Sequence, residues 1–270
     1  MSKDRLIRMA TYYKGLTGQK RAWQFIESRL SEKTIEEALR LYRDNPGGGQ
    51  AARDASNATS RTETPLKDMV LVKTMFRLKE LGIKLEKPSS GFKAYIIGFE
   101  GCDIDFSIND DAPDLWNDAV MAVYIDSEGN ISRSKLLRGT TEPGRHYVKN
   151  RLNRNGAAFV AIDTIHKEIW MRGTHKNQPN CLIQIGGAVT VYRDANNSHG
   201  RSKSDPTETG YFGINLHSTA GGFNSKSIGR WSAGCCVVKN VSQFQKLMKK
   251  VYQANQTKFS YILLDRRAMG

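Results

Sequence analysis

The chain is predicted to fold mostly as β-structure with a few helices, preceded by a small α-helical segment. Short apolar stretches bounded by turn residues recur between residues 92 and 264, a pattern typical of a β-sandwich or barrel. Apolar residues at helical spacing are found near the N-terminus, at 69–81 and at 241–251. The apolar fraction of 39 % is ordinary for a soluble protein, and no apolar run is long enough to span a membrane.

Three segments are expected along the chain. Residues 1–45 are predicted to form two helices, which are too small to bury enough surface alone and should pack on the rest of the chain or on another protein. Residues 46–65 are rich in Gly, Ala, Ser, Asn and Thr, which indicates a flexible linker or arm. Residues 66–270 are expected to form one β-rich domain.

Within that domain, turn residues separate the predicted strands. A hairpin turn at 127–130 should join two of them, and the strands at 157–162 and 165–172 are expected to pair. The predicted strands are 83–85, 92–99, 119–125, 131–137, 157–162, 165–172, 181–185, 189–192, 211–216, 236–238 and 259–264.

Acidic residues are dense in the predicted loop at 101–118. The loop lacks the glycine turn and the distal glutamate of an EF-hand calcium loop. We therefore predict a solvated loop there and no metal site. No organic cofactor is expected either.

The chain is strongly basic, with a formal net charge of +14 and a pI near 9.7. Long-range attraction favours anionic partners such as bacterial cell walls, nucleic acid and membrane surfaces. The basic residues are scattered, and no nucleic-acid-binding motif is present. We therefore do not expect a nucleic-acid partner.

The four cysteines, Cys102, Cys181, Cys235 and Cys236, have neither metal-site spacing nor an obvious disulfide framework. The N-terminus lacks the long apolar region of a signal peptide. Both observations favour a reduced protein that is made in the cytoplasm.

The stretch from His217 to Cys236 contains the candidate catalytic residues. Nucleophilic catalysis at a thiol needs a base and backbone N–H groups for the developing oxyanion. Cys235 is the candidate nucleophile and His217, 18 positions upstream, is the candidate base. Gly234 would let the backbone bend at the nucleophile. Cys236 should be buried, since adjacent strand residues point to opposite faces.

This stretch resembles the active-site motif of the L,D-transpeptidases, enzymes of bacterial peptidoglycan, in which a His precedes a Ser-x-Gly-Cys turn. The resemblance is strong at 211–238 and looser over about 70–265, and it implies a β-rich fold. It further implies that the Ser218 carbonyl orients the ring of His217, and that Ser232 braces the turn. By the same resemblance, the amides of Gly234 and Cys235 form the oxyanion hole.

Two positions depart from the family pattern and bear on substrate choice and rate: Ala233 stands where the family usually has His, and Val237 where it has Arg or Asn. Substrate-binding candidates are polar, cationic or aromatic side chains in the motif or beside turns: Ser232, Arg230, Trp231, Tyr147, Trp170 and His175.

The resemblance implies a cysteine enzyme that processes peptidoglycan stem peptides through a thioester, by hydrolysis or transpeptidation. A wall substrate combined with no export signal indicates a bacteriophage protein, carried in the virion or released to the cell wall or periplasm by lysis. The alternative is a structural virion protein that keeps the fold and binds other virion proteins through residues 1–65. A zinc peptidase is disfavoured, because no His-x-x-x-His pair is present.

Overall fold

The computed structural model describes residues 64–221 and 223–269, so the predicted helices at 1–45 and most of the predicted arm at 46–65 lie outside the described residues. The fold is mostly β, with 38 % strand and 16 % helix, which confirms the predicted fold class. None of the helices in the described ranges is both long and apolar enough to cross a bilayer.

Twelve strands and three α-helices make up the regular structure of the described residues. The strands are β1 (Phe92–Glu100), β2 (Asp118–Asp126), β3 (Ile131–Arg133), β4 (Leu137–Thr140), β5 (Ala157–Val160), β6 (Thr164–His175), β7 (Gln178–Gln184), β8 (Val189–Asp194), β9 (Thr207–Gly210), β10 (Leu216–Ser218), β11 (Cys236–Val238) and β12 (Lys258–Asp265). The helices are α1 (Thr64–Glu80), α2 (Arg145–Lys149) and α3 (Val241–Val251), and a 3-10 helix (Arg266–Met269) follows β12.

Eight strands close into a barrel in the order β1-β12-β6-β7-β10-β11-β4-β2, and β1 completes the ring by pairing with β2. Two neighbouring pairs are parallel, β1 with β12 and β10 with β11, and the other pairs are antiparallel. Closure leaves none of these eight strands with an unpaired edge. A separate antiparallel sheet contains β5, β8 and β9.

The chain divides into two compact units. One holds α1 together with residues 128–132, and the other holds residues 81–127 and 133–270, including the complete barrel. The apolar spacing at 69–81 correctly predicted α1, which begins at Thr64, inside the segment expected to be the arm. Gly82 follows its end with a φ of 68°, a conformation that glycine adopts at little cost.

Several predicted strands are wrong in extent or partner. The predicted strand at 211–216 has no regular structure up to Asn215, so His217 lies inside a short strand and not at its end. Residues 83–85 form no strand, and the predicted strand at 131–137 is divided between β3 and β4. β5 and β6 do not pair, because β5 joins β8 and β6 joins the barrel. Short apolar runs give no information about strand partners, which tertiary contacts select.

The parallel pair of β10 and β11 separates two environments. One face of the pair contributes Leu216, Cys236 and Val238 to the main hydrophobic core, where they meet the buried side of α3. The opposite face carries Cys235 and Val237, which belong to a second, smaller apolar cluster. Alternation along the strands therefore confirms that Cys236 is a core residue, 1 % exposed.

Candidate functional site

The parallel register of β10 and β11 brings the two predicted catalytic side chains to one face of the barrel wall. His217 is opposite Val237, and the Cys236 N–H donates a 3.0 Å hydrogen bond to the carbonyl of Asn215. The side chain of Cys235 therefore points to the same side of the sheet as that of Val237. The side chain of Asn215 likewise points to the same side as that of His217. The imidazole thus lies on β10 and the thiol directly before β11, both facing away from the main core.

The ring of His217 is held in one tautomer. Its Nδ1–H donates a 3.0 Å hydrogen bond to the Ser218 carbonyl, the contact that the resemblance implies. Gln178 fixes Ser218 in turn, because its Oε1 accepts from the Ser218 amide at 3.1 Å and its Nε2 donates to Ser218 Oγ at 2.5 Å. The Nε2 atom of His217 is buried without a hydrogen-bond partner among the described residues. A lone pair is therefore left free to accept a proton.

A second histidine stacks on the first. The rings of His175 and His217 lie 4.1 Å apart between centroids, with an interplanar angle of 12°. The Asn215 side chain orients His175, since its Nδ2–H donates to His175 Nδ1 at 2.9 Å while its Oδ1 accepts from the Gln184 amide at 2.8 Å. This pattern leaves His175 Nδ1 as an acceptor, so the neutral ring carries its proton on Nε2.

The Ser-Ala-Gly-Cys turn is braced by its serine, as the resemblance implies. Ser232 Oγ–H donates to the Cys235 carbonyl at 2.8 Å, and the Ser232 carbonyl accepts from the Gly144 amide at 2.9 Å. Gly234 has a φ of 127°, in a region that side chains other than glycine rarely adopt. The position therefore requires glycine for the chain to turn into β11.

The predicted oxyanion hole needs a correction. The Gly234 N–H donates to Ser232 Oγ at 3.1 Å, inside the turn, and is already used. An amide that braces its own turn does not face a substrate oxygen. Of the two amides in the prediction, the Cys235 amide remains the candidate donor.

The thiol of Cys235 lies under aromatic side chains. It is 8 % exposed and packs in a small apolar cluster with Trp116 and Ile228, against which Phe223 and Trp231 also pack. Phe223 makes edge contacts with both tryptophan rings, at 5.6 Å to Trp116 and 5.1 Å to Trp231. Apolar and aromatic side chains thus cover most of the Cys235 surface.

Backbone groups contact the sulfur on its other side. The Asn215 N–H donates to Cys235 Sγ at 3.4 Å, and the Sγ–H donates to the Gly213 carbonyl at 3.5 Å. Burial raises the pKa of the Cys235 thiol, and the Asn215 N–H partly offsets this effect by lowering it.

The pKa of His217 is also shifted, in the direction that favours the neutral imidazole. Burial lowers the pKa of His217 to about 4, with a further lowering from His175 and Lys176. Burial also lowers the pKa of His175. These shifts favour a neutral thiol and neutral imidazoles over a thiolate–imidazolium pair.

Two cavities are lined in part by residues of the motif, although Cys235 lines neither of them. The larger, of about 370 Å³, is lined by His217, His175, Lys176, Arg230 and Trp231, among others. The smaller, of about 200 Å³, includes Tyr147 and Ala233 in its wall. Four of the substrate-binding candidates thus line these cavities: His175, Arg230 and Trp231 the larger one, and Tyr147 the smaller one.

Trp170 does not line the cleft, contrary to the sequence-based expectation. Its side chain is fully buried, stacks on Tyr261 at 4.6 Å and donates through Nε1 to the Ile214 carbonyl at 2.6 Å. Its place in β6 turns it into the main core. A strand residue can face either side, and the sequence alone did not settle which.

Sequence reasoning did not identify Asn215, Gln178 and Trp116 as parts of the site. Asn215 carries a detectable signal, because a polar residue two positions before His217 in an apolar stretch falls on the same strand face. Gln178 and Trp116 are distant in sequence and have no such signal.

Comparison with known proteins gave no match: no family model, curated protein or solved structure is significantly similar to this chain.

The neutral resting state predicts the pH dependence of thiol reactivity. Because the pKa of Cys235 is raised, its thiolate fraction should grow about tenfold per pH unit, so alkylation should rise by about a hundredfold from pH 7 to pH 9. Mass spectrometry of iodoacetamide-treated protein, resolved by peptide, measures this rate. A plateau between pH 5 and 8 would instead indicate a preformed thiolate–imidazolium pair.

Proposed function

We propose that the chain is a cysteine enzyme that cleaves or transfers peptidoglycan stem peptides in the manner of an L,D-transpeptidase. The observation that carries the proposal is the buried Nε2 of His217, which has no hydrogen-bond partner in the described part of the chain. The His217 side chain faces the same side of the sheet as that of Cys235, and the Ser218 carbonyl accepts from its Nδ1–H. A structural histidine normally has its buried nitrogens satisfied, whereas a general base needs one free.

The reaction begins with proton transfer from Cys235 Sγ to His217 Nε2. The sulfur then attacks the carbonyl of a diamino-acid residue of the stem, and the carbonyl oxygen takes the negative charge near the Cys235 amide. Collapse of this intermediate breaks the C–N bond, and the leaving amine takes the proton from His217. Water hydrolyses the resulting thioester, or a second amine attacks it and forms a new peptide bond.

The positive charges in the wall of the cavity beside His217 are complementary to the negative charges of such a substrate. Lys176 and Arg230 place two cations in its wall, and Trp231 adds an aromatic surface. Stem peptides carry free carboxylates, which cationic side chains attract. Gln178 and Gln245 in the same wall offer hydrogen bonds to a peptide backbone.

The proposal is tested by intact-mass measurement after incubation with a carbapenem, a β-lactam that acylates the thiol of L,D-transpeptidases. We expect one adduct on the wild type and none on Cys235→Ala, while Cys181→Ala, which removes another buried thiol, should keep the adduct. Digestion of purified peptidoglycan by the wild type, followed by muropeptide analysis, then separates hydrolysis from transpeptidation.

The alternative is a structural virion protein with the same fold, in which residues 1–65 contact other virion proteins. The burial of Cys235 beneath Trp116, Phe223 and Trp231 favours this alternative. Absence of a carbapenem adduct, together with alkylation of Cys235 no faster than that of Cys181, would select it. Either function accords with a protein carried in a virion or released at lysis.

A further inference from the structure

A cluster of buried carboxylates lies at one end of the barrel and includes none of the thiol-site residues. Glu100 ends β1, Asp118 begins β2, Glu142 follows β4, and Asp111 comes from the loop between β1 and β2. One carboxylate oxygen from each of Glu100, Asp111 and Glu142 lies within 4.8 Å of the others. Acidic side chains from three segments of the chain thus lie close together.

Two arginines compensate part of this charge. Arg201 Nη1 donates to Glu100 Oε2 at 2.5 Å, and Arg267 contacts Glu100 Oε1 at 3.3 Å and Asp111 Oδ2 at 3.0 Å. Asp118 is satisfied separately, since its oxygens accept from the Gly101 and Thr141 amides. Glu100 and Asp118 thus have partners.

Two carboxylate oxygens in the cluster are less well satisfied. Asp111 Oδ1 is buried and has no hydrogen-bond partner among the described residues, and the side chain is only 9 % exposed. The Glu142 side chain is 10 % exposed, and its Oε1 lies 3.8 Å from Arg201 Nη1, beyond hydrogen-bonding distance. A buried carboxylate oxygen without a hydrogen-bond partner is costly, and metal coordination is one of the few arrangements that satisfies it.

We propose that Glu100, Asp111 and Glu142 bind a divalent cation, with Ca²⁺ the best fit. The three ligands are hard oxygen donors of the kind that Ca²⁺ and Mg²⁺ prefer. Two oxygens bound to one Ca²⁺ are separated by at most about 5 Å, because each Ca–O distance is about 2.3 to 2.6 Å. The three oxygens lie within 4.8 Å of one another, so their separations are compatible with ligands that share one cation.

The proximity of the carboxylates also affects their pKa values. Burial and neighbouring carboxylates raise the pKa of Asp111 to about 6 and that of Asp118 to about 7, and raise the pKa of Glu142 well above its usual value. A bound cation would favour the ionised forms of the ligands and make its affinity fall with decreasing pH. Arg201 and Arg267 would remain as partners of the ligand carboxylates.

The cation would also anchor a segment that supports the nucleophile turn. Glu142 is two residues before Gly144, whose amide donates to the Ser232 carbonyl. We therefore assign the cation a structural role: it holds the end of β4 to β1 and to the acidic loop. This role does not depend on the proposed peptidase activity.

The test uses the full chain, freed of divalent cations with a chelator and transferred to pH 7 buffer of constant ionic strength. CaCl₂, MgCl₂ and MnCl₂ are titrated by calorimetry, and thermal unfolding is followed with and without about 1 mM of each, a concentration that saturates all but the weakest sites. We compare the wild type with Asp111→Asn and Glu142→Gln. Asp110→Asn serves as the matched control, because Asp110 is exposed and lies beside the cluster without belonging to it.

We expect one Ca²⁺ per chain and a rise in Tm of several degrees for the wild type and Asp110→Asn. Affinity should fall at least tenfold in Asp111→Asn and Glu142→Gln. The proposal is overturned if the wild type shows neither binding heat nor a Tm shift with any of the three cations. It is equally overturned if Glu142→Gln responds as strongly as the wild type. If a variant does not fold, the titration of the wild type is sufficient to test the proposal.

Discussion

Replacing His217 with alanine is expected to slow the acylation of Cys235 by about a thousandfold at pH 7. General-base catalysis contributes roughly 10² to 10⁴ in rate, and the raised pKa of Cys235 makes the thiol especially dependent on a base. The free Nε2 of His217 is the acceptor that the substitution removes. The rate of carbapenem adduct formation, followed by intact mass, measures the loss.

The control for this prediction is His166→Ala. His166 is buried like His217, bonds through one ring nitrogen to the Ala161 carbonyl at 2.9 Å and stacks on Tyr261, but it lies outside the site. Acylation in this variant should stay within about threefold of the wild type, provided that circular dichroism shows a folded protein. The deficit of His217→Ala should narrow above pH 9, where hydroxide deprotonates the thiol. Equal losses in the two variants would contradict a base role for His217.

Replacing Gly234 with alanine is expected to destabilise the protein by about 4 kcal/mol, a magnitude found at strained or overpacked sites. Two effects add. The φ of 127° is unfavourable for any residue with a Cβ, and an ideal Cβ at this position would lie 2.6 Å from the Ala158 carbonyl oxygen in β5. Neither the turn nor β5 can move freely, because Ser232 braces the turn and β5 pairs with β8.

Urea unfolding monitored by tryptophan fluorescence measures this loss, and Gly221→Ala is the matched control. Gly221 has no left-handed φ, and nothing lies within 4 Å of the position that a Cβ would take there. Alanine at 221 should therefore change stability by less than about 0.5 kcal/mol. Equal urea midpoints for the unfolding of Gly234→Ala and the wild type would mean that the turn accommodates a side chain. Its geometry would then not depend on glycine.

Much of the fold was predictable because local patterns report local structure. The alternation and apolar runs at 92–99, 119–125, 236–238 and 259–264 correspond to β1, β2, β11 and β12, and the spacing at 241–251 to α3. Partner choice was not predictable in the same way, as the separation of β5 from β6 illustrates. Strand pairing depends on contacts between residues that are distant in sequence, to which a local pattern is insensitive.

For the candidate site, the sequence by itself determined the residue types: a thiol, a histidine, and a serine–glycine turn at fixed spacing. The structure decided how they are arranged. The parallel register of β10 with β11 puts Cys235 and His217 on one face, and β6 and β7 supply His175 and Gln178 beside them. Burial then raises the pKa of the thiol and lowers that of the imidazole, which favours the neutral form of both.

The same division holds for the carboxylate cluster. The sequence shows an acidic loop at 101–118, which by its own pattern indicates only a solvated surface. Barrel closure brings Asp111 of that loop against Glu100 and Glu142 and removes most of the surface of all three side chains from water. Residue identity and spacing are written in the chain, whereas desolvation and charge proximity arise only when distant segments pack together.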